Sequence, residues 1–183
     1  MKFRFTYFWV IWVAGLFFSP PAMPSARALW ITRYDFKSST DVVQIMENAR
    51  FLGANRVFFQ VRGNATVCYP SAIEPWAWEL TGNSPETIGV DPGWDPLAAA
   101  LAEAEKNGLE LHAWLNVFPG WRGVVPAPPG TKQPWATHRS WFMIDHQGVL
   151  LRPTQSFYSF LSPGIPAVRS YLAKVFGEVV KRY

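Results

Sequence analysis

The chain has 183 residues, with 17 basic and 13 acidic side chains and a formal net charge of +4. Most of that excess lies in residues 1–28, where Lys2, Arg4 and Arg27 meet no acid, so residues 29–183 carry 14 basic against 13 acidic groups. So even a balance leaves no electrostatic footprint for nucleic acid, and a single cysteine, Cys68, excludes an intramolecular disulfide.

The first 28 residues have the layout of a secretory signal. Lys2 and Arg4 precede an apolar run from Phe5 to Phe18, and small residues lead to Ala26-Arg27-Ala28, an A-x-A cleavage pattern. The run is shorter than the roughly 20 residues a helix needs to cross a bilayer. Cys68 lies far beyond it, so no lipid-modified cysteine follows. The expectation is an exported product, secreted or periplasmic, that is not a lipoprotein and has no stable membrane insertion once the signal is removed. An uncleaved anchor is the alternative, because cleavage before Leu29 leaves the first strand without a lead-in.

LWITRY (29–34) is β-branched and aromatic and predicts a strand. Ser39-Thr40-Asp41 supplies N-cap chemistry for a helix whose apolar positions run from Val42 to Leu52, with Gly53 as its stop. RVFFQVR (56–62) predicts a second strand. Asp95-Pro96 opens a second helix that Gly108 closes, and LELHAWLNVF (109–118) predicts a third strand. WFMIDHQGVLLR (141–152) reads as a small hairpin turning near Asp145–Gly148. Ser162-Pro163-Gly164-Ile165-Pro166 introduces a last helix with an apolar stripe of Val168, Tyr171, Leu172, Val175, Val179 and Tyr183.

Alternating strands and helices with glycine stops predict an α/β fold with a parallel sheet. Loops after the helices are very short, whereas those after the second and third strands run over roughly 63–94 and 119–164. Long loops confined to the C-terminal ends of strands belong to a binding face. Residues 29–183 also hold eight tryptophans, mostly in those loops, which suggests a surface that stacks against something flat.

Four separated pieces, LWITRY, QVRGNATVCYPSAIEPWAWELTG, GWDPLAAALAEAEKNGLELHAWLN and FLSPGIPAVRSYLAKVFGEVVKRY, resemble in this order the bacterial glycosyl-hydrolase-like family 10. The resemblance covers nearly all of 29–183. It implies the N-terminal part of a (β/α)8 TIM barrel, about three to four βα units, truncated before the fourth strand. It also implies an exported glycoside hydrolase acting on polysaccharide, some relatives being active on peptidoglycan glycan strands. In the family, acidic residues lie on a fourth strand beyond EVVKRY, so the resemblance places the catalytic carboxylates outside this chain.

In a barrel, alternate side chains point inward and those near the strands' C-terminal ends line the mouth. His112, Trp114 and Asn116 share one face of the third strand, and Phe58, Gln60 and Arg62 one face of the second. Arg62 and Asn116 are therefore expected to converge on one pocket. The candidate substrate-binding residues are Arg62, Asn116, Trp114, Gln60, Tyr69 in its YPS turn, Trp76 and Trp121, a mixture of ring-stacking and hydroxyl-binding groups. Each also has a structural reading: Arg62 paired with a nearby carboxylate, His112 as a core histidine, the loop tryptophans as pins, Asp95 as a helix cap. The three histidines lack metal-ligand spacing, and no cofactor is expected. Glycoside hydrolysis usually needs two carboxyl groups. Asp35, Glu74, Glu79, Glu86 and Asp91 are available, but no sequence context marks any as catalytic, and none is assigned. A non-catalytic glycan-binding module and an inactive gene fragment remain alternatives, and the oligomeric state is open.

Overall fold

The computed structural model describes residues 25–82 and 84–183. The signal reading falls largely on residues outside these; its last residue, Ala28, opens the first strand. Three strands, β1 (Ala28–Ile31), β2 (Arg56–Arg62) and β3 (Glu110–Leu115), form a parallel sheet in the order β1-β2-β3. β1 stops short of the expected Tyr34 because Asp35 folds the chain back. Its Oδ2 accepts from Thr32 N at 2.7 Å and Thr32 Oγ1 at 2.8 Å, which lifts Arg33 and Tyr34 out of the sheet. β3 likewise ends before Asn116, beside a register shift between Gln60 and Arg62.

The alternation of the strands sorts their faces as expected. Val57, Phe59 and Val61 are buried, with Leu111, Ala113 and Leu115 packed against the same core under α1 (Ser39–Phe51) and α2 (Pro96–Lys106). On the opposite face Trp30, Phe58 and His112 lie in register and stack, at 4.7 and 4.9 Å between ring centroids. The cap of α1 is Ser38, one residue before the expected start. Asp41 N donates to Ser38 Oγ and Ser38 N to Asp41 Oδ2, a reciprocal capping box. Asp95 caps α2, its Oδ1 accepting from Ala98 N, and its Oδ2 accepts from Tyr183 Oη at 2.7 Å.

Between β3 and the last helix the chain makes an excursion with its own small core. β4 (Pro119–Arg122) pairs antiparallel with β5 (Tyr158–Phe160), a two-stranded sheet that the sequence reading did not anticipate. Trp121, Trp135, Phe142 and Leu161 pack with Val168 and Leu172 of the helix Pro166–Arg182. That helix is α4, the short helix Pro134–Thr137 before it being α3. The expected hairpin is present: Asp145 N donates to Val149 O and Gly148, at φ +80°, closes the turn. β4 must carry glycine at position 120, because a Cβ there would strike the Phe142 ring. Buried Gln133 ties the excursion to the rest, donating from Nε2 to Asn64 O at 2.9 Å and to Gly120 O. Among the described residues no helix is long and apolar enough to cross a membrane.

Candidate functional site

Arg62 and Asn116 do meet at the C-terminal ends of β2 and β3, but as structure. Arg62 is 0% exposed, and its Nε and Nη2 donate to Glu74 Oε2 and Oε1 at 2.8 and 2.6 Å. Its Nη1 donates to the backbone oxygens of Asn116 and Val117. Tyr171 Oη of α4 donates to Glu74 Oε1 at 2.5 Å. Burial works against the guanidinium charge, yet adjacent Glu74 holds its pKa above the ordinary arginine value. Burial and Glu74 together push the Tyr171 phenol up. Enclosed on all sides, the Arg62–Glu74 pair braces the two strand ends.

Other expected site residues divide in the same way. Gln60 is buried, its Oε1 accepting from Arg33 N at 3.1 Å. Tyr69 is buried and donates to Val175 O. Trp121 is wholly enclosed, donating through Nε1 to Val125 O at 3.0 Å. All three are packed into the fold, for the same reason as Arg62: the long loops fold down over the strand ends. Trp114 and Asn116 are half-buried, with Trp114 Nε1 donating to Asn116 Oδ1 at 3.0 Å. Trp76 is half-buried and lines a side cleft with Glu74 and Lys132. His112 is not a core residue; its side chain is 38% exposed, beside Glu110. The picture of eight stacking tryptophans also needs correction, since Trp30 alone is largely exposed while Trp121 and Trp135 are buried.

A cleft beside the strand ends is built by residues that the sequence reading did not single out as binding groups. It has a volume of about 350 Å3 and is lined by Tyr34, Trp78, Glu79, Arg122, Gln155 and the Gly123–Val125 backbone. Arg33 and Tyr34 come from the turn after β1, Glu79 from the loop after β2, and Arg122 and Tyr158 from β4 and β5. Arg33, 3% exposed, donates from Nε to Glu79 Oε1 at 2.6 Å and from Nη2 to Tyr34 Oη at 2.6 Å and Tyr158 Oη at 3.3 Å. Gly63 permits this arrangement: a Cβ there would come within 2.8 Å of the Arg33 guanidinium. Burial opposes the charge on Arg33, but Glu79 holds its pKa above the usual arginine value. Burial raises the Tyr34 phenol, partly offset by Arg33. Glu79 Oε2 is buried without a donor among the described residues.

Such a cleft offers an aromatic wall, a fixed carboxylate and a guanidinium, Arg122, which reaches Tyr34 Oη at 3.3 Å. Glu79 was one of five carboxylates weighed from sequence. Arg33 and Tyr34 carried a usable signal, since residues just past a barrel strand's end occupy the functional face. Arg122 and Tyr158 carried none, because the β4–β5 pairing that presents them was not legible.

Residues 25–183 match the family described as glycosyl hydrolase-like 10. The chain belongs to that family. Glycosyl hydrolase DigH of Escherichia coli K12 is 35% identical over 154 residues, covering 78% of this chain and 31% of DigH. Glycosyl hydrolase YngK of Bacillus subtilis is 32% identical over 164 residues, covering 87% of this chain and 28% of YngK. The family member thus spans about a third of the length of these curated relatives. A hypothetical protein from Ruminiclostridium thermocellum has a similar fold, with a TM-score of 0.55 at 15% identity over 84% of this chain and 70% of that one. The units β1–α1, β2–α2 and β3–α4 are the N-terminal part of a (β/α)8 TIM barrel.

Proposed function

We propose that this chain is the N-terminal part of an exported glycoside hydrolase acting on polysaccharide, with peptidoglycan glycan strands among its substrates. The observation that carries the reading is the cleft at the C-terminal end of β1, where Trp78 and Tyr34 flank Glu79 and Arg122. Sugar rings present apolar faces to aromatic groups and hydroxyls to charged acceptors and donors, and this cleft has both. Glu79 Oε2, buried and without a donor among the described residues, is suited to accept from a sugar hydroxyl, relieving a desolvation cost of roughly 1–3 kcal/mol. Hydrolysis usually needs a second carboxyl about 5 to 9.5 Å from the first. In this proposal that group comes from outside the 183 residues.

One observation favours a second reading, a non-catalytic glycan-binding module. Glu79 is the one carboxylate among the described residues lining the cleft, and Arg33 already matches its charge. Affinity electrophoresis of the chain through a panel of soluble polysaccharides, with a reducing-end assay on the same panel for the longer protein that supplies the second carboxyl, separates the readings. Retention with release of reducing ends supports the hydrolase. Retention alone supports the binding module, and no retention by any glycan removes both. Glu79→Gln is expected to weaken retention about tenfold, the loss of one charged hydrogen-bond acceptor.

A further inference from the structure

The positive charge of the folded part is concentrated in one place. Residues 116–165 hold Arg122, Lys132, Arg139 and Arg152 against Asp145 alone, while the rest of 29–183 holds 10 basic and 12 acidic residues. Two of the five are already engaged. Asp145 Oδ1 accepts from Gln147 N and Val149 N within its own turn, and Lys132 Nζ donates to Ala72 O at 2.8 Å. None of Arg122, Arg139 and Arg152 forms an ion pair among the described residues.

The three arginines line two adjoining clefts. Arg122 borders the cleft of Glu79, where two guanidinium groups, Arg33 and Arg122, face one carboxylate. Arg139 and Arg152 border a second cleft of about 320 Å3, with Trp121, Trp135 and Pro153. Gly123, Val124 and Val125 belong to both, so a single ridge of backbone divides them. Arg139 lies 3.6 Å over the Trp135 ring, which fixes its plane and leaves its N–H fork free to donate. Burial and then the like charge of Arg152 depress its pKa, a repulsion that an anion would relieve.

We propose that the bound glycan is acidic, and that Arg122, Arg139 and Arg152 receive carboxylate or sulfate groups of successive sugars along the two clefts. This rests on the glycan-binding reading above and names its substrate class. The arginine fork matches either oxyanion with two parallel hydrogen bonds, so the shared chemistry is a planar or trigonal array of anionic oxygens on a sugar ring.

The test runs the full chain through affinity gels containing polygalacturonate, its carboxyl-reduced neutral counterpart, dextran sulfate or plain dextran, at low and at physiological salt. At least one acidic polymer is expected to retain the protein about tenfold more strongly than its neutral partner, and the two acidic arms tell carboxylate from sulfate. The double variant Arg139→Ala/Arg152→Ala should lose at least about threefold of that retention with an unchanged circular dichroism spectrum. The control Lys174→Ala/Lys181→Ala, which removes the same charge from α4, should lose none. Equal retention by acidic and neutral partners, or equal losses in both double variants, overturns the proposal. If neutral glycans alone retain the chain, only the acidic class falls and glycan binding stands. If nothing in either panel retains it, both fall.

Discussion

Arg33 and Arg62 stand at the ends of adjacent strands, each paired with a glutamate from the same loop, yet their settings differ. Glu74 and Arg62 are both sealed at 0% side-chain exposure, with Tyr171 closing the pair from α4. Glu79 and Arg33 sit at the edge of the cleft, with one carboxylate oxygen unclaimed among the described residues. A buried pair is costly to assemble, but removing one partner is costlier because the other charge stays behind. Glu74→Ala is therefore expected to lower stability by about 3–5 kcal/mol, read as a drop in the urea midpoint. Tyr171→Phe, which removes one hydrogen bond to a charged acceptor, should cost roughly 1.5–3 kcal/mol. Unchanged midpoints in both variants would mean that the braced strand ends do not form as described.

At the scale of elements, the parts with local signals were legible and the parts assembled from distant pieces were not. β2 spans the expected residues because RVFFQVR alternates cleanly, and α2 begins where Asp95-Pro96 dictates. β4 and β5 escaped notice because Pro119-Gly120-Trp121-Arg122 has no alternation and finds its partner only at Tyr158–Phe160. Arg62 showed the same limit. Its type and face were readable, but its fate depends on Glu74 and on Tyr171, 97 residues apart. The capping box of α1 gives an element-level test. Hydrogen bonds from the Lys37 backbone, the Ser38 side chain and the Ser38 backbone lower the Asp41 pKa below 3.8. A depressed carboxylate pKa adds stability above the unfolded value and loses it as pH falls through the folded one. Asp41 thus contributes fully at neutral pH, and its share fades below about pH 4. Ser38→Ala should cost about 1 kcal/mol at pH 7. Asp41→Asn should lower stability at pH 7 and converge with the parent chain on acidification, as followed by thermal melts across pH. A constant gap at every pH would show that Asp41 acts by something other than its charge.

For the whole molecule, the decisive feature is that the two faces of the sheet are treated differently. The helix-facing side is closed by α1 and α2, whereas the opposite side shows Trp30, 60% exposed, stacked on Phe58 and then His112. β1 and β3 are also the outer strands of the three-stranded sheet, so one backbone edge of each is unpaired within it. Exposed aromatic surface beside unpaired strand edges is a template for association. The 183-residue chain by itself should therefore self-associate at concentrations on the order of tens of micromolar, seen as a concentration-dependent sedimentation coefficient. Trp30→Lys provides the discriminating variant. Its side chain is mostly in water already, so the substitution removes little buried area, while a lysine on an edge strand opposes edge-to-edge pairing. The variant should sediment as a smaller species and keep its retention on glycan gels, because the clefts are built from the loops and β4–β5 on other residues. If association instead ran through the arginine-lined clefts, Trp30→Lys would leave it unchanged and added acidic polysaccharide would dissolve it. The two surfaces are separable because the barrel strands carry one and their C-terminal loops carry the other.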